Sequence, residues 1–179
     1  LMRLGSTLIS SNAINQLTVN SDFPKIAPYW DDVNTAAAGY CGAKLVGVAP
    51  NRKLSIEWLI AVPKNSANTG RVQVWLFETT NVIQFVYNTG MNVNNNGYSV
   101  GLAAATTDFI SVSPGGASPS FSKITETNTN ITAITSGTSV IFTPPVLPPA
   151  CTATSTPTGS GNSNAVQLNW TPGAGNPTS

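Results

Sequence analysis

Short stretches of alternating hydrophobic and polar residues recur along the chain, and no long window has helical periodicity. The clearest stretch is residues 53–62, where five apolar side chains fall on one face of an extended strand, and Ser55 and Glu57 fall on the other. The five are Leu54, Ile56, Trp58, Ile60 and Val62. This pattern predicts a strand that packs one face against a core.

Residues 71–77 and 82–87 form a second pattern, interrupted by a polar turn at 79–81. The first segment is apolar on one face and carries Trp75 and Phe77 on the other, which predicts a central strand covered in part on both sides. The second segment returns after the turn. We therefore expect these two strands to pair as a hairpin.

Further strands are predicted at residues 98–103, 109–113 and 138–142, separated by runs rich in Asn, Gly, Ser and Thr. Asn and Gly accept positive φ at little cost, so the run Asn94 to Gly97 is read as a loop. Several short strands with frequent turn signals predict an all-β fold, an antiparallel, jelly-roll-like β-sandwich.

Closely spaced prolines at residues 144–149 divide the chain, because they remove backbone donors and favour extended geometry. We therefore predict a sandwich domain over 1–143, a semi-rigid linker over 144–150 and a second β-domain that starts at 151–179. Residues 165–170 alternate as a strand of that second domain. Both ends of the chain interrupt such patterns, so the first sandwich is expected to lack upstream strands and the second to be cut short.

Charged residues make up only 8% of the chain, against about 25% in an average soluble domain, while hydrophobic residues make up 41%. The net charge of +1 gives no basic field for nucleic acid, and no polybasic stretch suits an anionic membrane. No apolar run approaches the ~20 residues of a membrane-spanning helix. Nucleic-acid binding and membrane insertion are therefore not expected.

Several segments resemble a β-sandwich module that recurs in large secreted or surface proteins of bacteria, often of the Bacteroidetes type. They are residues 26–33 (IAPYWDDV), 48–58 (VAPNRKLSIEW), 72–87 (VQVWLFETTNVIQFVY) and 98–102 (YSVGL). Residues 151–170 separately look like the start of a fibronectin type III-like domain. The resemblance implies an extracellular, multidomain, often surface-attached protein, and it implies no ligand and no catalytic residue.

Histidine is absent, which excludes Ser-His-Asp and Cys-His catalysis within this chain. Carboxylate chemistry remains formally open through Asp31, Asp32, Glu57 and Glu78. The adjacent pair Asp31 and Asp32 is interpreted first as turn chemistry, with the carboxylates accepting local N–H groups. The alternative is a Ca²⁺ site, since that ion prefers hard oxygen ligands, although two carboxylates do not complete its shell. No other cofactor is expected.

Two further features have alternative readings. Trp30, Trp58 and Trp75 lie in alternating strands, which favours core packing over a sugar-binding platform, and exposure of Trp75 would favour the platform. Cys41 and Cys151 are the only cysteines, and in an extracellular setting a disulfide between them is as plausible as pairing elsewhere or free thiols.

The leading functional hypothesis is a non-catalytic structural or adhesive module that joins neighbouring domains or copies of itself, up to a fibre, through unpaired edge strands. Low charge reduces repulsion between such neighbours. The alternative is an accessory carbohydrate- or substrate-binding module of a secreted hydrolase, with glycan contact through Trp75.

Overall fold

A computed structural model describes residues 2–4, 14–19, 23–35, 39–62, 64, 67–89, 91–93, 97–116, 118–146, 159–162 and 165–168. These residues form strands, turns and loops without a helix, and two antiparallel sheets pack as a β-sandwich. The predicted fold class is confirmed. By internal contacts the chain divides into one unit of Leu1–Pro144 and another of Pro145–Ser179.

Among the described residues of the first unit there are ten strands. They are β1 (Met2–Arg3), β2 (Lys25–Trp30), β3 (Tyr40–Val46), β4 (Lys53–Ala61), β5 (Thr69–Phe77), β6 (Ile83–Thr89), β7 (Ser99–Ala103), β8 (Phe109–Ser113), β9 (Ser120–Ser122) and β10 (Ser139–Phe142). Sheet I has the order β1-β2-β7-β8-β9, and sheet II has the order β10-β6-β5-β4-β3. Each neighbouring pair is antiparallel.

Sheet II contains the strands that the alternation predicted most clearly. β4 and β5 pair along their whole length, from Lys53 opposite Phe77 to Ala61 opposite Thr69. β5 also pairs with β6, so the predicted hairpin is confirmed and β5 is central. In the hairpin turn, Thr79 and Asn81 adopt positive φ of 69° and 54°. The predicted polar turn therefore reverses the chain there.

The main core lies between the sheets. One side chain in every two along β4, β5 and β6 points into it, as the period of a strand requires. The buried members from these strands are Ile60, Val72, Val74, Phe85 and Tyr87, and sheet I contributes Ile26, Tyr29, Val100 and Val112. Trp58 packs against this core from the side. The face predicted from residues 53–62 is thus the inward face.

The outer face of sheet I is covered by the chain itself. Leu17 is fully buried there with Ala27, Trp30 and Ala103 in a second small cluster. The segment carrying Leu17 is held by Glu126, whose carboxylate accepts hydrogen bonds from the backbone N–H groups of Leu17 and Thr18. The outer face of sheet II, which is solvated, is therefore the open surface of the sandwich.

The second unit contains β11 (Gly159–Asn162) and β12 (Ala165–Leu168), which pair as an antiparallel hairpin. β12 falls in the segment whose alternation predicted a strand. The remainder of the predicted linker and second domain, from residue 147 onward, lies outside the described residues. Its assignment as a fibronectin type III-like domain stays a prediction.

Candidate functional site

The solvated face of sheet II carries a row of polar and aromatic side chains. Because Val72, Val74 and the buried residues of β4 point inward, the alternate residues of the same strands must point outward. From Lys53 to Leu59 and from Arg71 to Phe77, the outward set is Lys53, Ser55, Glu57, Leu59, Arg71, Gln73, Trp75 and Phe77. Tyr40, Gly42 and Lys44 of β3 extend it to the sheet edge.

Glu57 is the centre of a hydrogen-bond network on this face. Its carboxylate accepts from Arg71 Nη1 at 3.0 Å, from Gln73 Nε2 and from the Tyr40 hydroxyl. Gln73 Oε1 in turn accepts from Trp75 Nε1 at 2.7 Å. Side chains from three strands are thereby fixed to one another, with the Glu57 side chain only 17% exposed. A network of this kind presents a preorganised surface.

Trp75 lies on this outer face and is half-buried. The ammonium of Lys53 sits 3.4 Å from its ring centroid, and the ring of Phe77 meets it edge-on at 6.4 Å. The cation–π contact contributes on the order of 0.5–1 kcal/mol and covers one face of the indole. Trp30 and Trp58, in contrast, pack in or against the two apolar clusters. Trp75 is thus the member of the predicted trio that lies on the solvated face, with one side of its ring occupied by Lys53, and its contact with a ligand stays a prediction.

A groove runs over Gly42, where β3 has no side chain on the outer face. Its volume is about 330 Å³. A Cβ placed on Gly42 would meet only Tyr40 Cδ2, at 3.8 Å. The walls are Tyr40, Lys44, Ser55, Glu57 and Gln73. The floor of the groove is therefore open backbone, next to the Glu57 carboxylate.

β3 is an unusually open edge strand, since every residue from Tyr40 to Val46 is exposed. Leu45 is 55% exposed and Val46 is 44% exposed. Phe121 of β9 contacts Phe142 of β10, so the β9 edge of sheet I faces the β10 edge of sheet II. The other edge of sheet I, at β1, therefore faces β3. Of the described residues, two belong to β1. The inward-facing residues of β3, including Leu45, are exposed as well.

An apolar hollow of about 240 Å³ lies on that inward side, formed by Leu45, Leu54 and Leu76. The ion pair of Arg52 and Glu78 closes one end of it. Arg52 Nη2 lies 2.5 Å from Glu78 Oε1, and Nε donates to Oε2 at 2.8 Å, a bidentate arrangement. Hydrogen bonding from the Arg52 side chain lowers the pKa of Glu78 to about 2.

Acid should weaken this contact in a defined pH window. Because the folded-state pKa of Glu78 is lowered, its contribution to stability is present above the unfolded pKa of ~4.3 and is lost as the pH falls toward about 2. We expect wild-type protein to lose more stability than Glu78→Gln between those pH values, measured by urea unfolding at each pH. Parallel pH profiles for the two proteins would contradict this assignment.

Asp31 and Asp32 follow β2 directly. Asp31 Oδ1 accepts a hydrogen bond from the backbone N–H of Asp32 at 2.7 Å, as a turn carboxylate does. Both Asp32 oxygens lie 2.8 Å from Lys64 Nζ. No group of three or more His, Cys, Asp or Glu residues able to hold a metal ion occurs in the described part of the chain. The Ca²⁺ site stays a prediction from the sequence.

Of the two cysteines, Cys41 is the one that lies among the described residues. Cys41 is exposed on β3, on the side of the strand that faces away from Glu57. Cys151 lies outside the described residues. The disulfide between them therefore also stays a prediction.

The sequence reasoning missed β3 altogether, and with it Tyr40 and Gly42. A weak signal was present. Ala43 and Leu45 alternate with Gly42 and Lys44, and the strand ends at Gly47, which has a positive φ of 94°. The alternation is poor because an edge strand exposed on both sides has no core-facing side to select apolar residues.

A family model described as "NIDO related" matches residues 1–144, most of the chain. No curated protein and no solved structure matches it. In the described part of the chain, no helix is long and apolar enough to cross a membrane.

Proposed function

The chain belongs to the NIDO-related family of extracellular-type modules, and we propose that it is a non-catalytic structural or adhesive module of a surface or secreted protein. In this role it joins a neighbour by strand addition at the edge of sheet II. The observation that carries the proposal is β3, a seven-residue edge strand exposed along its whole length. Natural proteins normally protect such edges, because they present unpaired N–H and C=O groups to other chains.

The distribution of charges supports a binding role over a catalytic one. The carboxylates of Glu57 and Glu78, two of the candidates for acid–base chemistry, each pair with an arginine. Asp32 pairs with Lys64. Each of these three carboxylates is therefore already engaged by a cation in the folded structure, which fits a structural role.

The edge of sheet II is also a better candidate contact than an aromatic sugar platform. The indole of Trp75 is half-buried and carries the Lys53 ammonium on one face, so a sugar ring would have to displace that contact. β3, in contrast, carries exposed apolar side chains on both sides, including Tyr40, Leu45 and Val46. Their burial would add a hydrophobic contribution to the backbone hydrogen bonds.

Self-association of the full chain tests the proposal. We expect the weight-average mass in sedimentation equilibrium to rise with concentration. A strict monomer up to about 1 mM, where a contact worth only about −4 kcal/mol would be populated, would overturn it. Circular dichroism should show the same β spectrum throughout, which distinguishes ordered association from unfolding.

A further inference from the structure

The free edge of β3 is complementary to itself. A strand pairs with one neighbour through alternate backbone groups and leaves the others pointing away. β3 pairs with β4 over all seven residues from Tyr40 to Val46, and a second strand can bind its other edge over the same length. We propose that this second strand is β3 of another copy, aligned antiparallel about Ala43, so that two copies of sheet II form one continuous sheet. The inference rests on the proposed edge-to-edge function.

The number of paired residues and the positions of the lysines determine the register. Centring on Ala43, the middle residue of β3, pairs all seven residues, with Tyr40 opposite the partner's Val46 and Cys41 opposite the partner's Leu45. Centring on Lys44 shortens the overlap and places two lysines directly opposite each other, which is destabilising. The alignment about Ala43 therefore buries the most exposed apolar surface without opposing like charges.

In this register the partner's Lys44 lies opposite Gly42, and Gly42 in turn pairs with Glu57 of β4. The three residues form one row across the sheet. Adjacent strands are about 4.8 Å apart, so the lysine and the glutamate, two strands apart, are within the combined reach of their side chains. Gly42 leaves the space between them open, as the groove of about 330 Å³.

Both charges are suited to this contact. Lys44 makes no hydrogen bond or ion pair with any residue that the structure describes. The Glu57 carboxylate accepts three hydrogen bonds, and a carboxylate has about four acceptor positions, so one remains for an ammonium. By symmetry the contact forms twice. The groove over Gly42 is thereby assigned as the slot for the partner's Lys44.

Cysteine cross-linking tests the register directly. Ala43→Cys in a Cys41→Ser, Cys151→Ser background places two cysteines on the symmetry axis, with Cα atoms about 4.5–5.5 Å apart, inside the disulfide range. We expect oxidised glutathione to convert this variant to a covalent dimer. The control keeps Cys41 and carries only Cys151→Ser, because the two Cys41 residues would be offset by about 13 Å along the strands. A dimer from the control and none from Ala43→Cys would overturn the proposal.

Two substitutions test the contacts themselves. Ala43→Lys opposes two like charges on the axis, and Gly42→Val fills the slot from a Cβ whose nearest neighbour is Tyr40 Cδ2 at 3.8 Å. We expect each to weaken dimerisation by roughly tenfold in sedimentation equilibrium. Ile141→Lys, on the opposite edge of sheet II and 53% exposed, is the matched control and should leave dimerisation unchanged.

The outcomes separate this inference from the proposed function. The β3 pairing is overturned if the protein still associates but Ala43→Cys forms no cross-link. It is also overturned if Ile141→Lys disrupts association as strongly as Ala43→Lys. Either result leaves the module's adhesive role in place. A strict monomer would overturn both. Each variant's circular dichroism spectrum must match that of the wild type, so that loss of association is not loss of folding.

Discussion

Replacement of Phe85 by alanine is expected to lower the free energy of unfolding by about 3–5 kcal/mol. Phe85 is fully buried in β6, next to the central strand of sheet II, and its ring meets Phe142 of β10 edge-on at 5.0 Å. Truncation loses the favourable free energy of transferring the ring from water into the core. It also leaves a cavity, because hydrogen bonds hold the two sheets in place. A loss of this size is a large fraction of the stability of a typical domain.

Urea unfolding followed by tryptophan fluorescence measures the effect. Ile124→Ala is the matched control, because Ile124 is 93% exposed and its removal should change stability by no more than about 0.5 kcal/mol. Equal losses for the two variants would show that Phe85 does not occupy the core position described here.

Alkaline pH is expected to unfold the protein steeply above about pH 10. Tyr29, Tyr87 and Tyr98 are buried together in the core, and their hydroxyls donate to the backbone carbonyls of Asn92, Pro28 and Thr132, respectively. The rings of Tyr29 and Tyr98 stack at 4.6 Å. Burial raises the pKa of each hydroxyl above its ordinary value, with the nearby Asp31 charge adding to the shift at Tyr29.

The direction of the pH effect follows from those shifts. A folded-state pKa raised above the unfolded value means that the stability contribution is fully present below pH ~10 and is lost as the pH rises, because the unfolded chain releases its protons first. Each tyrosine contributes a slope of about 1.4 kcal/mol per pH unit, so the three together give about 4 kcal/mol per pH unit.

The free energy of unfolding measured at several pH values from 8 to 12 tests this slope. Tyr87→Phe removes one of the three ionisable groups and should reduce the alkaline slope by about a third, while costing stability at neutral pH through the lost hydrogen bond to Pro28. An alkaline slope that Tyr87→Phe leaves unchanged would contradict the assignment.

Much of sheet II could be predicted from the sequence. The strands predicted at residues 98–103 and 109–113 correspond to β7 and β8 of sheet I, and those predicted at 53–62, 71–77, 82–87 and 138–142 correspond to β4, β5, β6 and β10 of sheet II. These strands bury one face and leave the other more exposed to solvent, so apolar and polar side chains alternate along them with a period of two residues. The hairpin turn carried part of its own signal, because Asn81 accepts the positive φ found there, whereas a β-branched residue such as Thr79 rarely does.

The candidate site was harder to predict. The sequence singles out Trp75 as the candidate aromatic residue for ligand contact. Its neighbours Lys53, Gln73 and Glu57 come from two strands, and Tyr40 comes from a third. Their hydrogen bonds cross strands, and pairing register is set by the packing of the whole sheet, so sequence spacing does not reveal them. The groove over Gly42 depends on the same register.

The sequence by itself determined the fold class, the faces of the strongly alternating strands and the lack of histidine in this chain, because each depends on residue type or local period. Only the tertiary structure decided which sheet face stays solvated, that β3 is exposed along its whole length, and that Gly42 lies beside Glu57. The physical reason is that exposure of an edge depends on what the opposite sheet covers. All seven residues of β3 are exposed in the described structure, which no local period along the chain signals.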